Sequence, residues 1–476
     1  MQTVFNIIYN VILYPTLFFA CYYAVLAIVG LLFHRQKYPM VEDKLKFCIF
    51  VPCHNEEAVI AATVNNLAKM TYTRELFDIY FIADNCSDKT AERIKEAIAA
   101  ADLSNFYCLE RNVNDPMKRG KPHAMRWAMD LLEETDSFYN KYDMFMIFDA
   151  DNFVDADILQ HMNSQYLSYP EKKRPVMIQS YLDSKNKNTL IARGYFVAYR
   201  FTNGFFQLPR HKLGLVPGIG GTGFATSTAF LKSIGGYNCS SLVEDLEFET
   251  IATLRGYNIA YNHNARIYDE KPTGLVASAV QKTRWCQGHW YIFFKYSWRL
   301  LLHMFNPKEI RLFFKRLDNL IHVCSLLFMT LSMLGTILPI AAWICGTTLI
   351  YSTTTVISTW MFYITLLLFP ISSILDGPPK EKKLFLIEFI PNMLANLIGI
   401  IVYFYANIVG LLHCKNQTVW KKTVHKVTTM DKNAVSERTA TTDKSESAEE
   451  SAEESAEEST EESAEESKEE RVEQTV

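Results

Sequence analysis

The ten cysteines of this chain include no CxxC pair and no Cys/His spacing of a metal site. That absence excludes a disulfide scaffold and a zinc centre, and it points to a reduced compartment with buried thiols. Residues 7–33 carry no charge, a run longer than the roughly 20 apolar residues that a membrane-spanning helix needs. The same stretch has neither a basic n-region nor a small-residue cleavage site, which argues against a secretory signal peptide. GIGGTG at 218–223 is not followed by GKS/T, so it is not a Walker loop.

Charge is present but unevenly placed. The net value is −4, yet residues 431–476 hold 17 Asp/Glu and 5 Lys/Arg, so the tail carries −12 and the remainder +8. A basic body suits an anionic nucleotide donor and a negatively charged inner leaflet, although cytoplasmic loops beside membrane segments account for part of the excess by themselves. No nucleic-acid partner is expected. The tail repeats SAEE with almost no apolar residue; it cannot bury a core and is expected to be disordered.

The apolar N-terminal run is followed by the basic HRQKYP and KLK, which places the N-terminus outside and the following sequence in the cytoplasm. Residues 46–285 then alternate strand and helix patterns. KFCIFVPC, DIYFIAD and MFMIFDAD read as strands, and EEAVIAATVNNLAKM and KTAERIKEAIAAA as helices. This rhythm predicts an α/β domain with a mostly parallel sheet. Ligands bind at the carboxyl ends of such strands, where His54, Asp84 and Asp149 fall.

Residues 289–305 mix aromatic and basic residues and read as an interfacial amphipathic helix; a helix packed on the domain is the alternative. Apolar blocks follow at about 319–344, 356–374 and 384–413. The last has basic flanks on both sides, so it is expected to be broken or re-entrant near Pro391-Asn392, the alternative being one failure of the positive-inside rule. Glu388 within it must face protein, water or the interface. The expected organisation is a transmembrane helix (1–34), an α/β domain (35–288), an interfacial helix and linker (289–318), a membrane region of three or four segments (319–413), and a cytoplasmic segment with the acidic tail (414–476).

Seven short motifs run through the α/β domain: VPCHNEE (51–57), IADNCSD (82–88), RGK (119–121), FDADN (148–152), GIGGTG (218–223), VEDLEF (243–248) and QKTRW (281–285). Asp149 and Asp151 sit at the end of an apolar strand, where two carboxylates with substrate phosphates hold hard cations such as Mg²⁺ or Mn²⁺. Alone, such a triplet is also a common surface turn. Asp245, beside Glu244, is a candidate general base; a carboxylate favoured by a helix N-terminus is the simpler reading. Four glycines in GIGGTG allow close backbone approach to a ligand. Lys121 offers a point charge to a diphosphate. Arg284 and Trp285 offer a bidentate cation and a flat face for a sugar ring.

The order HNE, DxxxD, GK, DxD, GTG, ED and QxxRW resembles that of the membrane-integrated family 2 glycosyltransferases, the group of cellulose, hyaluronan, chitin and exopolysaccharide synthases. The resemblance covers about residues 46–300. It implies a GT-A (Rossmann-like) fold, a UDP-sugar donor (glucose or N-acetylglucosamine favoured) and inversion at the anomeric carbon, for which no enzyme nucleophile is needed. It further implies that His54, Asn55, Glu56 and Asp84 hold the uridine and Lys121 the diphosphate. Asp149 and Asp151 would hold nucleotide and metal, and Asp245 would be the base. Gly221, Thr222, Gly223, Glu244, Gln281, Arg284 and Trp285 would lie around acceptor and diphosphate. The second motif, ADNCSD, departs from relatives with two adjacent aspartates, and VED replaces the TED of cellulose-type enzymes.

The function expected from this resemblance is extension and export of a β-linked polysaccharide by a multi-pass plasma-membrane enzyme with a cytoplasmic catalytic domain. Export would draw on a homo-oligomer or an accessory protein. Transfer of one sugar to a lipid-linked acceptor is the alternative, and an inactive membrane scaffold of a polysaccharide complex is a third.

Overall fold

The computed structural model describes residues 2–32, 38–115, 118–239, 241–347, 353–376, 385–417 and 429. The acidic tail, and the basic segment after Asp376, lie outside the described residues. The strands are β1 (Phe47–Cys53), β2 (Phe77–Asp84), β3 (Phe106–Arg111), β4 (Met144–Ile147), β5 (Phe153–Val154), β6 (Met177–Ser184), β7 (Phe224–Ser227) and β8 (Ile259–Asp269). The helices of the α/β domain are preceded by α1 (Gln2–Leu32) and comprise α2 (Ile60–Leu67), α3 (Thr90–Ala100), α4 (Lys121–Asp136), α5 (Phe138–Lys141), α6 (Ile158–Ser168), α7 (Leu190–Thr202), α8 (Leu208–Lys212), α9 (Thr228–Ile234) and α10 (Glu244–Leu254). After them come α11 (Leu275–Met304), α12 (Phe313–Val323), α13 (Ser325–Ile344), α14 (Thr353–Leu375) and α15 (Phe385–His413).

One sheet runs in the order β3-β2-β1-β4-β7-β6-β8-β5. The central strands are apolar at almost every position because both of their faces are covered. From β1, Phe47, Ile49 and Val51 pack with Ile60 and Val64 of α2 and Ile94 of α3 on one face. Cys48 and Phe50 pack with Met125 and Ala128 of α4 on the other. The α/β expectation holds, but the sheet is mixed. β1 pairs parallel with β2 and β4, and β2 with β3. β7 is antiparallel to both β4 and β6. The GIGGTG segment turns the chain back just before β7, which at four residues is too short to announce itself by periodicity.

Two further expectations are corrected. QKTRW and the aromatic stretch after it form one 30-residue helix, α11, so the 288/289 division falls inside an element. Gly288 does not break it. A Cβ there would come within 2.8 Å of the Val243 side chain, so glycine serves close packing. The 385–413 block is likewise one continuous helix despite Pro391, not a broken pair. Glu388 pairs with Arg193 of α7, whose guanidinium also donates to Asn392 Oδ1 at 3.0 Å. The polar positions that looked like a break therefore face protein.

Among the described residues three helices are long and apolar enough to cross a membrane: Gln2–Leu32, Ser325–Ile344 and Ile387–His413. Their outer faces expose Val11, Ile28, Trp343, Ile401 and Leu412, as expected of surfaces meeting lipid. On α11 and beyond it, Ile292, Tyr296 and Leu300 pack against Leu246 and Val323, while Phe294, Trp298, Leu302 and Phe305 are exposed. The helix is thus packed on one side and apolar on its free side.

A buried ion pair joins the two parts. Arg210 Nε lies 2.9 Å from Asp318 Oδ1, with both side chains essentially inaccessible. Tyr22 of α1 donates to the same carboxylate, and Val216 N–H donates to its other oxygen at 2.8 Å. Asp318→Ala is expected to cost about 3–5 kcal/mol by stranding Arg210, read as a lower thermal midpoint in detergent. Arg210→Met combined with Asp318→Leu should recover most of that loss; a double variant no better than the single would refute the pairing argument.

Candidate functional site

The carboxyl ends of β1, β2 and β4 lie side by side, and the first motifs meet there. His54 Nδ1 is 2.8 Å from the Asp84 carbonyl. Asn55 takes a left-handed conformation (φ 56°), and its Oδ1 accepts from Ser87 N–H at 2.7 Å. Glu56 is buried, its N–H donating to Thr90 Oγ1 at 2.7 Å. The Asp84 carboxylate is held by Arg111 Nη1 at 2.6 Å, both groups buried. Arg111 is a residue that sequence reasoning missed, and its signal was register: it stands opposite Asp84 across β2 and β3.

Lys121 opens α4 after Gly120, whose φ of 103° suits glycine alone. Its Nζ donates to Asp149 Oδ1 and to the Gly221 carbonyl, each at 2.8 Å, and lies 3.6 Å from Glu244 Oε1. One ammonium thus ties RGK, FDADN, GIGGTG and VED together. Burial alone would lower its pKa, but Asp149, Glu244 and Asp245 hold it above the ordinary lysine value.

The acidic turn is built from its backbone outward. Asp149 N–H donates to Asn152 Oδ1 at 2.7 Å and Thr222 Oγ1 at 3.0 Å, which fixes FDADN against GIGGTG. Asp151 is buried. Its Oδ2 accepts from Glu270 N–H at 2.7 Å, and its carbonyl accepts from Lys185 Nζ at 2.8 Å. Among the described residues no group of three or more His, Cys, Asp or Glu is arranged to hold a metal. The donor set nevertheless fits a hard cation that keeps substrate phosphates as ligands. Asp149 Oδ1 is engaged by Lys121, while Asp151 Oδ2 accepts from a backbone N–H and its Oδ1 only a long 3.5 Å bond from Asn152 Nδ2.

The glycine loop is clamped from three sides. Gly218 exchanges two hydrogen bonds of 2.7 Å with the Gln207 amide. Gly220 N–H donates to Gln179 Oε1 at 2.9 Å, and Ile219 N–H to Glu249 Oε2 at 3.1 Å. Gly221 sits at φ +73°, and a Cβ there would stand 3.1 Å from Asp245 Oδ2. Asp245 occupies the first turn of α10. Burial and the neighbouring Glu244 carboxylate push its pKa up to about 7, against the pull of Leu246 N–H and Lys121. A carboxyl poised near neutrality suits a general base.

Asp269, at the end of β8, was not anticipated. Burial raises its pKa to about 6 while Lys271, 2.5 Å away, pulls it down. Gln281 and Trp285 share one face of α11. Gln281 Oε1 is buried with no partner among the described residues, and Trp285 meets Tyr195 edge-on at 6.1 Å. Arg284 does not share that face. It lines a cavity of about 660 Å³ between α11 and α15.

Gly221→Ala is expected to lower turnover by roughly tenfold to hundredfold through displacement of Asp245. Its backbone strain, about 1–2 kcal/mol, should match that of Gly214→Ala, where φ is +67° and no atom lies within 4 Å of the new Cβ. Equal activity in the two variants would sever the link between Gly221 and Asp245.

Residues 45–288 match the protein family described as "Glycosyltransferase like family 2". The chain is 23% identical over 269 residues to the probable glycosyltransferase YdaM of Bacillus subtilis, covering 56% of this chain and 60% of that protein. It is 27% identical over 277 residues to the beta-monoglucosyldiacylglycerol synthase of Trichormus variabilis, covering 58% of this chain and 56% of that one. The matches therefore span little more than half the length of these relatives. In fold it is similar to the mannosyltransferase PcManGT from Pyrobaculum calidifontis, solved in complex with GDP-Man and Mn²⁺. That likeness has a TM-score of 0.52 at 15% identity and covers 83% of this chain and 99% of that one.

Proposed function

The chain belongs to the glycosyltransferase-like family 2 and has its GT-A, Rossmann-like domain, and on that premise we propose that it is an inverting hexosyltransferase using a UDP-sugar, glucose or N-acetylglucosamine favoured. The observation that carries this reading is the Asp245 carboxyl, raised to about 7 and facing Gly221 at the edge of the Lys121 cluster. Asp245 takes the proton of an acceptor hydroxyl as its oxygen attacks the anomeric carbon. The bond from that carbon to the UDP oxygen breaks on the opposite face, so an α-linked donor yields a β-linked product. The leaving diphosphate carries away the electron pair.

Lys121 is the cation best set to meet the developing diphosphate charge, since its partners Asp149 and Glu244 already hold it at the site. His54, Asn55, Glu56 and Asp84 form the cradle proposed for the uridine. Mg²⁺ or Mn²⁺, held by Asp149 and Asp151, would supply further neutralisation of the diphosphate. Gln281 and Trp285 are proposed to face the acceptor sugar or the diphosphate.

The three candidate membrane spans support a multi-pass membrane protein, and the basic HRQKYP and KLK after the first apolar run support a cytoplasmic catalytic domain, in the plasma membrane on this proposal. Two acceptors remain in view: a growing β-linked polysaccharide coupled to export, and a single lipid. The cavity beside Arg284 favours the lipid. An inactive scaffold is disfavoured by the intact acidic and basic cluster.

The base must be ionised to act, so its activity is lost as pH falls through its pKa. UDP release by the protein in nanodiscs should therefore rise through about pH 7 and level off above it. Asp245→Asn should abolish that limb and cost about 10²–10⁴-fold. Unchanged release from Asp245→Asn would end the mechanism. In a scan of UDP-sugars, reading UDP and product size together, a high-mass glycosidase-sensitive product would establish the polysaccharide reading, and a lipid-sized product the single transfer.

A further inference from the structure

The α11–α15 cavity holds about 660 Å³, within the roughly 300–1,000 Å³ of small-molecule sites. Its walls are apolar over most of their length, with Val276 and Val280 from one helix and Ile401 and Tyr405 from the other. Ile401 and Tyr405 are also strongly exposed, and they lie on a helix apolar and long enough to cross a membrane. The cavity therefore opens sideways, toward lipid.

One end is different in character. Arg284 and Gln287 project there from α11, with Asn416 just past α15. Arg284 has no hydrogen-bond or ion-pair partner among the described residues. This end also adjoins the base motif. Gln417 accepts from Leu242 N–H at 2.8 Å and donates to the Gln287 carbonyl at 3.4 Å. Gly288, one turn on from Arg284, packs against Val243, and Glu244-Asp245 follow directly. The pocket thus has an apolar length along an apolar, exposed helix and a polar end tied to Leu242 and Val243, the two residues that lead into Glu244-Asp245.

We propose that this cavity binds an acyl chain of the acceptor, and that the acceptor is a membrane lipid presenting an alcohol to Asp245, with Arg284 on its headgroup oxygens. The choice of an alcohol follows from the chemistry: a lipid phosphate is already ionised at neutral pH and needs no base, whereas a hydroxyl does. The inference rests on the transferase reading above and adds the acceptor class and its site.

The test uses the full-length protein in phosphatidylcholine nanodiscs containing a diacylglycerol whose acyl chain carries a photoreactive diazirine. Labelling needs no turnover, so it is independent of the donor and of the mechanism. Adducts should concentrate on residues 275–287 and 401–416. Val280→Trp and Ile401→Trp, which fill the pocket from opposite walls, should each cut that labelling at least tenfold. Ile28→Trp, on the exposed face of α1, should not. Transfer from the preferred UDP-sugar should show a matching tenfold rise in KM for dioleoylglycerol in the filled variants, and little change for dihexanoylglycerol. Labelling spread evenly over the apolar helices would overturn the proposal, as would Asp245-dependent polymer synthesis untouched by either tryptophan. Specific labelling without Asp245-dependent UDP release would uphold the lipid site and instead remove the transferase mechanism.

Discussion

The Lys121 ammonium is the interaction on which the rest of the site depends. Asp149, Glu244 and Asp245 converge from β4 and α10, and like charges this close are unfavourable without a counter-charge. Lys121 supplies it and also binds the Gly221 carbonyl, so the glycine turn is held by the same atom that steadies the acids. The cluster is closed on itself around the lysine, and on the proposed reading a diphosphate would compete for that ammonium. On that reading a donor entering the site would exchange partners with the protein and would not add charge to an empty pocket.

Helix α11 carries the second constraint. It touches the α/β domain at Gly288 and Val243, and α15 at Cys286, where a Cβ on Gly410 would come within 2.7 Å. Gly194 of α7 approaches the Ala395 carbonyl of α15 with similar closeness, a Cβ there falling at 2.8 Å. Small residues at these crossings allow backbones to approach as they do between membrane helices. The arrangement leaves little slack between the last apolar helix and the residues flanking Asp245.

Much of the site was legible because central strands covered on both faces are continuous apolar runs that stop abruptly at polar motifs. That is why the ends of β1, β2 and β4 were found, and with them His54, Asp84 and Asp149. What stayed hidden lacks a local pattern. Gln179, Gln207 and Glu249 come from three distant elements, and only the folded chain directs them to one loop. Asp269 ends a strand, IAYNHNARIYD, whose many polar residues obscure its boundary. Arg111 needed the register of β2 and β3. The charge and proline rules that suggested a break near Pro391 failed because Arg193, almost two hundred residues earlier, makes those polar positions internal.

The contact among Tyr22, Arg210 and Asp318 bears on how such a chain is made. Its three members come from the first apolar helix, the middle of the α/β domain and the helix leading into the second apolar segment. A ribosome delivers them in that order, so the Arg210 guanidinium emerges after its tyrosine and with its carboxylate still unsynthesised. The α/β domain cannot reach its final interior until translation has passed Asp318. Excised from its flanks, it would lose both the Asp318 carboxylate and the Tyr22 hydroxyl that Arg210 meets, so a soluble truncation is a poor route to this protein.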